Sequence, residues 1–138
     1  MTGMEVVEEV AEQGLHYYVQ AVADGLGVRS DAVCHVPRPR ASAYLALPER
    51  LPDFAGREVA VLWDAHHGWG LGVETSSGED LIMLAYLGED VLPEPDEVVA
   101  FVRTLLRGRR TGQLKPPIVR RCDLRAGLAR YVPPDLTD

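Results

Sequence analysis

The segment from Glu58 to Leu87 constrains the fold of this chain more than any other. It contains three apolar runs of about seven residues, EVAVLWD, WGLGVET and LIMLAYL, separated by two short polar breaks. The breaks carry Gly, Ser, Asp and His, which tolerate turn geometry, whereas the runs have the length and composition of β-strands. The segment therefore predicts three consecutive antiparallel strands joined by tight turns.

The side-chain pattern of these runs predicts how each strand is covered. The third run, 81–87, is apolar on both faces, which predicts a strand that is central in the sheet or covered on both sides. In the second run, Gly70 and Gly72 alternate with large apolar residues, so one face of this strand is bare. A bare face favours either a closely packed helix or a ligand lying against the backbone.

Helical patterns lie on both sides of this segment in the sequence. Residues 6–26 place apolar side chains in one stripe at helical spacing, and residues 95–107 do the same after Pro95 in the first turn. The run AYLAL at 43–47 predicts another strand. The fold class predicted is α+β: an antiparallel meander sheet of about four strands with two helices packed on one face.

Length and charge predict the domain organisation. A chain of 138 residues with 46% hydrophobic residues has the size of one domain with a closed core. Residues 1–100 carry 18 acids against 5 bases, whereas residues 101–138 carry 3 acids against 9 bases. We therefore predict a single α+β domain over 1–108 and a basic C-terminal extension over 109–138. Opposite charge favours docking of this extension on the same domain or on a second copy.

The sequence also predicts a cytoplasmic protein without membrane contact. No segment approaches the roughly 18 apolar residues of a membrane span, and the N-terminus is acidic where a secretory signal is basic and then apolar. Cys34 and Cys122 lie far apart and fit neither a CxxC pair nor a zinc ribbon, which indicates reduced thiols.

The turn between the first two runs, DAHHGW, is the strongest candidate site. Asp64 and His66 lie two residues apart, so their side chains share a face in an extended backbone. With a third ligand such as His35 or His16 they could hold a divalent metal. The alternative is a hairpin turn in which Asp64 accepts backbone N–H bonds, Gly68 has a positive φ and the histidines are solvated. Because the ligand set is incomplete, we predict no metal and no cofactor.

Two tryptophans flank this turn almost symmetrically. Trp63 and Trp69 suit a cross-strand aromatic pair that sets the hairpin register, and stacking on a ligand is the alternative. The candidate ligand-binding residues are those of the turn and of the bare strand face: Trp63, Asp64, His66, His67, Trp69, Gly70 and Gly72.

Other arrangements with catalytic residue types lack the required context. Cys34 and His35 are neighbours and point to opposite faces of a strand, so they are poorly placed as thiolate and base. The run SSG at 76–78 forms no nucleophile elbow, and GWGLG at 68–72 lies inside a strand where a phosphate loop would open a helix. We predict no catalytic residue, and the pattern favours a protein that is not an enzyme.

Arginines in the C-terminal extension predict a partner-binding surface at Arg109, Arg110, Arg120 and Arg121. The extension lacks interleaved aromatic residues and a recognition helix, so a salt-dependent, nonspecific nucleic-acid contact is the most that it indicates. Self-association and a protein partner are favoured over nucleic acid.

The segment VLWDAHHGWGLGVETSSGEDLIMLAYLGEDVLPEPDEVVAFVRTLL carries the WD and HGW residues of the turn, the GVET turn and the LAYLG helix entry. On these motifs the chain resembles an uncharacterised family of small actinobacterial cytoplasmic proteins, known as a domain of unknown function, over residues 15–108. The resemblance implies a cytoplasmic setting and no assigned chemistry.

Together these patterns predict a non-enzymatic protein-interaction or adaptor protein. We expect it to be a homodimer that binds a partner through the sheet surface or the C-terminal extension. The alternative is a small-molecule-binding protein or enzyme with a pocket at the Asp64–Trp69 turn.

Overall fold

A computed structural model of the chain describes residues 2–28, 33–35, 42–75, 80–88, 90–118 and 124–133. The helices and strands follow one another in the order α1 (Thr2–Leu26), β1 (Val33–His35), β2 (Ser42–Leu47), β3 (Val59–Asp64), β4 (Gly68–Glu74), β5 (Leu81–Tyr86), α2 (Pro95–Leu106) and α3 (Leu124–Ala129). A 3-10 turn at Pro52–Phe54 precedes β3.

The strands form one antiparallel sheet of five strands whose spatial order is the chain order, β1 to β5. This confirms the predicted α+β class and the antiparallel meander. The sheet has five strands where about four were predicted, because β1 is only three residues long. A strand of that length is too short to show an alternating pattern in the sequence.

Strand β5 lies at the edge of the sheet, so the alternative of a central position is wrong. The backbone N–H of Tyr86 donates to the Gln113 carbonyl (2.7 Å), and the Gln113 N–H donates to the Tyr86 carbonyl (2.8 Å). The segment after α2 thus pairs through its backbone with the outer edge of β5 at Tyr86, the last residue of the strand. Cover on both faces is only partial, because Ala85 alone of the six β5 residues is buried and Ile82 is 45% exposed.

One hydrophobic core joins the sheet and the helices. Along β3, Val59, Val61 and Trp63 are at most 1% exposed, and their partners on β4 are equally buried. Helix α1 and helix α2 contribute further fully buried side chains, Leu15, Tyr18, Val19, Val22, Val98 and Val102. The packing of both helices on the same face of the sheet stays a prediction.

Helix α3 crosses α1 at a glycine. A Cβ atom at Gly14 would overlap the carbonyl oxygen of Leu128, whose side chain is 1% exposed. Glycine in a helix interior costs roughly 0.5–1 kcal/mol relative to alanine, and here it permits the close approach of the two helices. The structure thus gives a packing reason for a residue that weakens α1 locally.

Several sequence segments lie outside the described residues. These are the proline run at 37–40, which the sequence suggests as a bend between strands, the polar break at 76–78, and residues 119–122 of the run IVRRC, which the sequence suggests as a short edge strand. In the part of the chain that the structure describes, none of the helices combines the length and the apolar character that crossing a membrane requires.

Candidate functional site

The turn between β3 and β4 is closed by Asp64. Its Oδ1 accepts the backbone N–H of His66 at 2.7 Å and that of His67 at 2.8 Å. Gly68 has a φ of +70°, a conformation that favours glycine. The hairpin interpretation of this turn is therefore confirmed for the Asp64 hydrogen bonds and the positive φ of Gly68, whereas the histidines, which were expected to be solvated, are half-buried.

Both tryptophans beside the turn are core residues that anchor other elements. They are cross-strand partners, as predicted, and each is 1% exposed. The Trp63 indole N–H donates to the Val91 carbonyl at 2.6 Å. The Trp69 indole N–H donates to the Tyr18 hydroxyl at 3.0 Å, and this hydroxyl donates to the Pro93 carbonyl at 2.5 Å. Neither indole presents a face to solvent on which a ligand would stack.

Tyr18 is the central residue of this buried network. Its side chain is 0% exposed, and its ring centroid lies 4.8 Å from that of Tyr131. Burial raises the pKa of the Tyr18 hydroxyl far above its usual value, and the hydrogen bond from Trp69 opposes this shift only in part. The hydroxyl is consequently neutral and acts as a structural hydrogen-bonding group.

The two histidines of the turn are half-buried and differ in their contacts. His67 Nδ1 lies 2.8 Å from the Pro117 carbonyl oxygen, which only accepts hydrogen bonds, so Nδ1 carries the proton. The His67 ring also packs edge-on against Tyr86, with centroids 6.2 Å apart. The His66 ring contacts His67 at a centroid distance of 6.1 Å. Among the described residues, no group of three or more His, Cys, Asp and Glu side chains is arranged to hold a metal ion.

The glycine face of β4 is filled by side chains of β5. A Cβ atom at Gly70 would lie 2.7 Å from Met83 Cε and 3.0 Å from the Tyr86 ring. A Cβ atom at Gly72 would lie 3.0 Å from Met83 Sδ. The glycines therefore make room for side chains of the neighbouring strand β5. The sequence had indicated a closely packed helix or a ligand on this face instead.

An apolar cavity of about 570 Å³ lies between β5, the end of α2 and the loop before β3. It is lined by residues 51–54, by residues 108–114 and by four apolar residues of the strands and of α2, namely Leu71, Leu84, Ala85 and Leu105. We call it the arginine groove, after Arg109 and Arg110. Its volume lies within the roughly 300–1,000 Å³ of typical ligand pockets.

The arginine groove has a buried apolar floor and a charged, exposed rim. Leu51, Leu71 and Ala85 on the floor are between 0% and 6% exposed, whereas Leu114 on the rim is 81% exposed. Arg109 and Arg110 are both exposed on this rim. In the described part of the chain neither guanidinium has a hydrogen-bond or ion-pair partner. Asp53 is the only acidic residue among those that line the groove.

The end of α2 determines where these arginines lie. The helix stops before Gly108, which has a φ of +81°, and Gly112, with a φ of +75°, lies against Phe101. Between these two glycines the backbone turns back so that Gln113 pairs with Tyr86. Of the predicted partner-binding residues, the structure thus brings Arg109 and Arg110 to one groove, and Arg120 and Arg121 lie outside the described residues.

A second, smaller cavity of about 340 Å³ lies between the segment before α2 and the end of α3. Asp90, Glu94, Arg130 and Tyr131 give it a mixed-charge lining. Neither cavity is lined by any of the seven predicted ligand-binding residues. The apolar groove residues were missed because they are distant in sequence. The one local signal is Leu114, an isolated large apolar residue in a polar segment.

The fold and the groove define the class of protein: a small α+β domain with a five-stranded antiparallel meander and a surface groove bordered by two exposed arginines. A model described as "Family of unknown function (DUF6292)" matches residues 18–104 of the 138, and the chain belongs to this family. The match spans the sheet and most of α2, and it ends at residue 104, before the groove residues 108–114. A search of curated proteins and a search of solved structures gave no match.

Proposed function

We propose that this protein is a non-enzymatic interaction or adaptor protein that binds a partner protein in the arginine groove. The observation that carries the proposal is the groove itself, in which a buried apolar floor adjoins two exposed guanidinium groups that have no partner among the residues described by the structure. Arginine is one of the residues enriched at the energetically important positions of protein interfaces. Exposed apolar surface bordered by polar residues commonly marks an interaction site.

The hydrogen bonds of the β3–β4 turn support a non-enzymatic protein. A general acid or base needs a lone pair or a proton that is directed at a substrate. Asp64 binds two backbone amides, His67 Nδ1 binds a carbonyl, and both indoles donate to groups of the core. These hydrogen bonds hold the turn in the fold, and neither of the two cavities is lined by Asp64, His67 or either tryptophan.

Self-association in the cytoplasm is part of the same proposal. The charge of residues 1–100 is opposite to that of residues 101–138, which favours pairing of two copies. The two distant cysteines suit the reducing cytoplasm, and the family motifs suit an actinobacterial source. Native mass spectrometry of the purified chain tests the dimer: we expect a species of twice the 15.2 kDa chain mass. A single species at the chain mass at micromolar concentration would contradict it.

Site-specific photo-crosslinking tests the partner. The photoreactive residue benzoylphenylalanine replaces Leu114 on the groove rim in one variant and the exposed Ala100 on α2 in a control. After irradiation in the native cell, we expect the groove position to give a discrete adduct with one partner protein and the control position to give none. Absence of an adduct specific to the groove position would contradict the proposed function.

A further inference from the structure

We infer that the arginine groove accepts an acidic linear segment of its partner, in which an aliphatic side chain is flanked by aspartate or glutamate. This inference rests on the proposed function and names the chemistry of the partner. Three properties of the groove support it: the sign of its charge, the character of its floor and the openness of its rim.

The charge around the groove selects an anionic ligand. Residues 107–118 contain four bases and no acid, while residues 1–100 carry a large excess of acids. A partner segment with carboxylates is therefore attracted to this region and repelled by most of the remaining surface, which directs it to the groove. Asp53, which also lines the groove, would repel the part of the segment that passes over it.

The floor of the groove requires an apolar anchor in the same ligand. Leu51, Leu71 and Ala85 expose almost no surface of their own, yet they line a cavity of about 570 Å³. Burial of an aliphatic side chain of the partner contributes roughly 25 cal/mol per Å² of apolar surface. Leu114 extends this apolar surface to the rim, where it is 81% exposed.

The open rim favours a linear segment over an enclosed small molecule. Pro52, Asp53, Gly108 and Gln113 border the groove and are themselves exposed, whereas typical small-molecule pockets enclose roughly 70–90% of their ligand. A nucleic acid shares the negative charge, but single-stranded nucleic acids bind by stacking on aromatic side chains. Phe54 is the only aromatic residue among the groove residues, and it is packed against the core.

Random-peptide phage display on the full chain tests this inference. We expect enriched peptides to combine aspartate or glutamate with leucine, isoleucine or valine. A synthetic fluorescent copy of the most enriched peptide is then measured by fluorescence anisotropy at low and high salt. Binding should weaken roughly tenfold in Arg110→Glu and also with added salt, and it should weaken in Leu114→Ser.

Arg130→Glu is the matched control, because Arg130 is exposed, undergoes the same charge change and lines the smaller cavity. The inference is wrong if no peptide is enriched, if enriched peptides are not acidic, or if Arg130→Glu weakens binding as much as Arg110→Glu. Displacement of the peptide by duplex DNA at equal concentration would also overturn it in favour of nucleic acid.

The two proposals fail separately. A groove-specific crosslink to a partner together with enriched peptides that lack acids would preserve the proposed function and reject the acidic segment. Loss of the crosslink from the groove position rejects the proposed function, whatever peptides are enriched.

Discussion

The β3–β4 turn and the arginine groove are opposites in how their polar groups are satisfied. The turn concentrates Asp64, two histidines and two tryptophans within seven residues, and the hydrogen bonds of Asp64, His67 and both indoles all go to the protein itself. The groove has few polar side chains, yet Arg109 and Arg110 have no partner among the described residues. A local concentration of reactive residue types is thus a poor guide to a site, because such side chains can serve the fold through hydrogen bonds within the protein.

The largest loss of stability is expected on truncation of a tryptophan beside the β3–β4 turn. Trp63→Ala removes a side chain that is 1% exposed together with its hydrogen bond to Val91. We expect a loss of roughly 3–5 kcal/mol in the free energy of unfolding, measured by urea denaturation. Trp63→Phe is the control, which keeps most of the apolar volume and should lose less. An alanine variant within 1 kcal/mol of the wild type would contradict a core role for this residue.

Removal of the Tyr18 hydroxyl tests the buried network. Tyr18→Phe leaves the Trp69 indole N–H and the Pro93 carbonyl without their partner, and we expect a loss of roughly 1–3 kcal/mol in the free energy of unfolding. Tyr17→Phe on the same helix is the control, because Tyr17 is only partly buried and makes a ring contact with His16. Equal effects of the two substitutions in thermal or urea unfolding would argue against the network.

Alkaline pH provides a further test of Tyr18. Its pKa is raised in the folded protein by burial, so above pH 10 the unfolded chain loses this proton while the folded chain keeps it. The free energy of unfolding should therefore be constant with respect to this group below pH 10 and fall by about 1.4 kcal/mol per pH unit above it. Urea unfolding at pH 9 to 11 should show a shallower decline in Tyr18→Phe. Parallel declines in the two proteins would contradict the assignment.

The Asp64 carboxylate should matter for stability and not for partner binding. Asp64→Ala removes the acceptor of two backbone N–H groups, and we expect a loss of about 1 kcal/mol in the free energy of unfolding. Asp80→Ala, at an exposed position with no side-chain hydrogen bond among the described residues, is the control. If Asp64→Ala abolished the groove crosslink while leaving unfolding unchanged, the contrast between the two regions would fail.

The smallest effect on stability is expected in the groove. Arg109→Glu and Arg110→Glu alter exposed guanidinium groups without partners among the described residues, so each should change the free energy of unfolding by no more than about 0.5 kcal/mol. Differential scanning calorimetry of both variants beside the wild type measures this. A marked loss of stability would show that these arginines have a structural role.

Regular patterns made most of the fold predictable. The strands β3, β4 and β5 and helix α2 lie within one or two residues of their predicted bounds, because apolar runs and helical spacing persist over six or more residues. The edge position of β5 was not predictable in this way, and the run VCHV before the prolines offered the strand β1 as only one of two alternatives. The first depends on pairing between distant segments, and the second involves only three residues.

The candidate site was predictable in only one respect, the basic character of Arg109 and Arg110. Their position on a groove depends on the turn after α2 and on the pairing of Gln113 with Tyr86. The predicted ligand residues Gly70 and Gly72 illustrate the converse, because their open face in the isolated strand is filled by Met83 and Tyr86. Alternation shows which face of a strand is bare, but the neighbouring strand decides what covers it.

The sequence by itself determined the α+β class, the hairpin turn with its Asp64 and Gly68, and the pairing of Trp63 with Trp69, since these follow from local periodicity and turn chemistry. Tertiary structure alone decided which polar groups were left without partners. Hydrogen bonding joins residues that are far apart in the chain, as Trp63 and Val91 are, and the apolar floor of the groove is assembled from the loop before β3, the sheet and α2. A site of this kind therefore becomes visible only when the chain is folded.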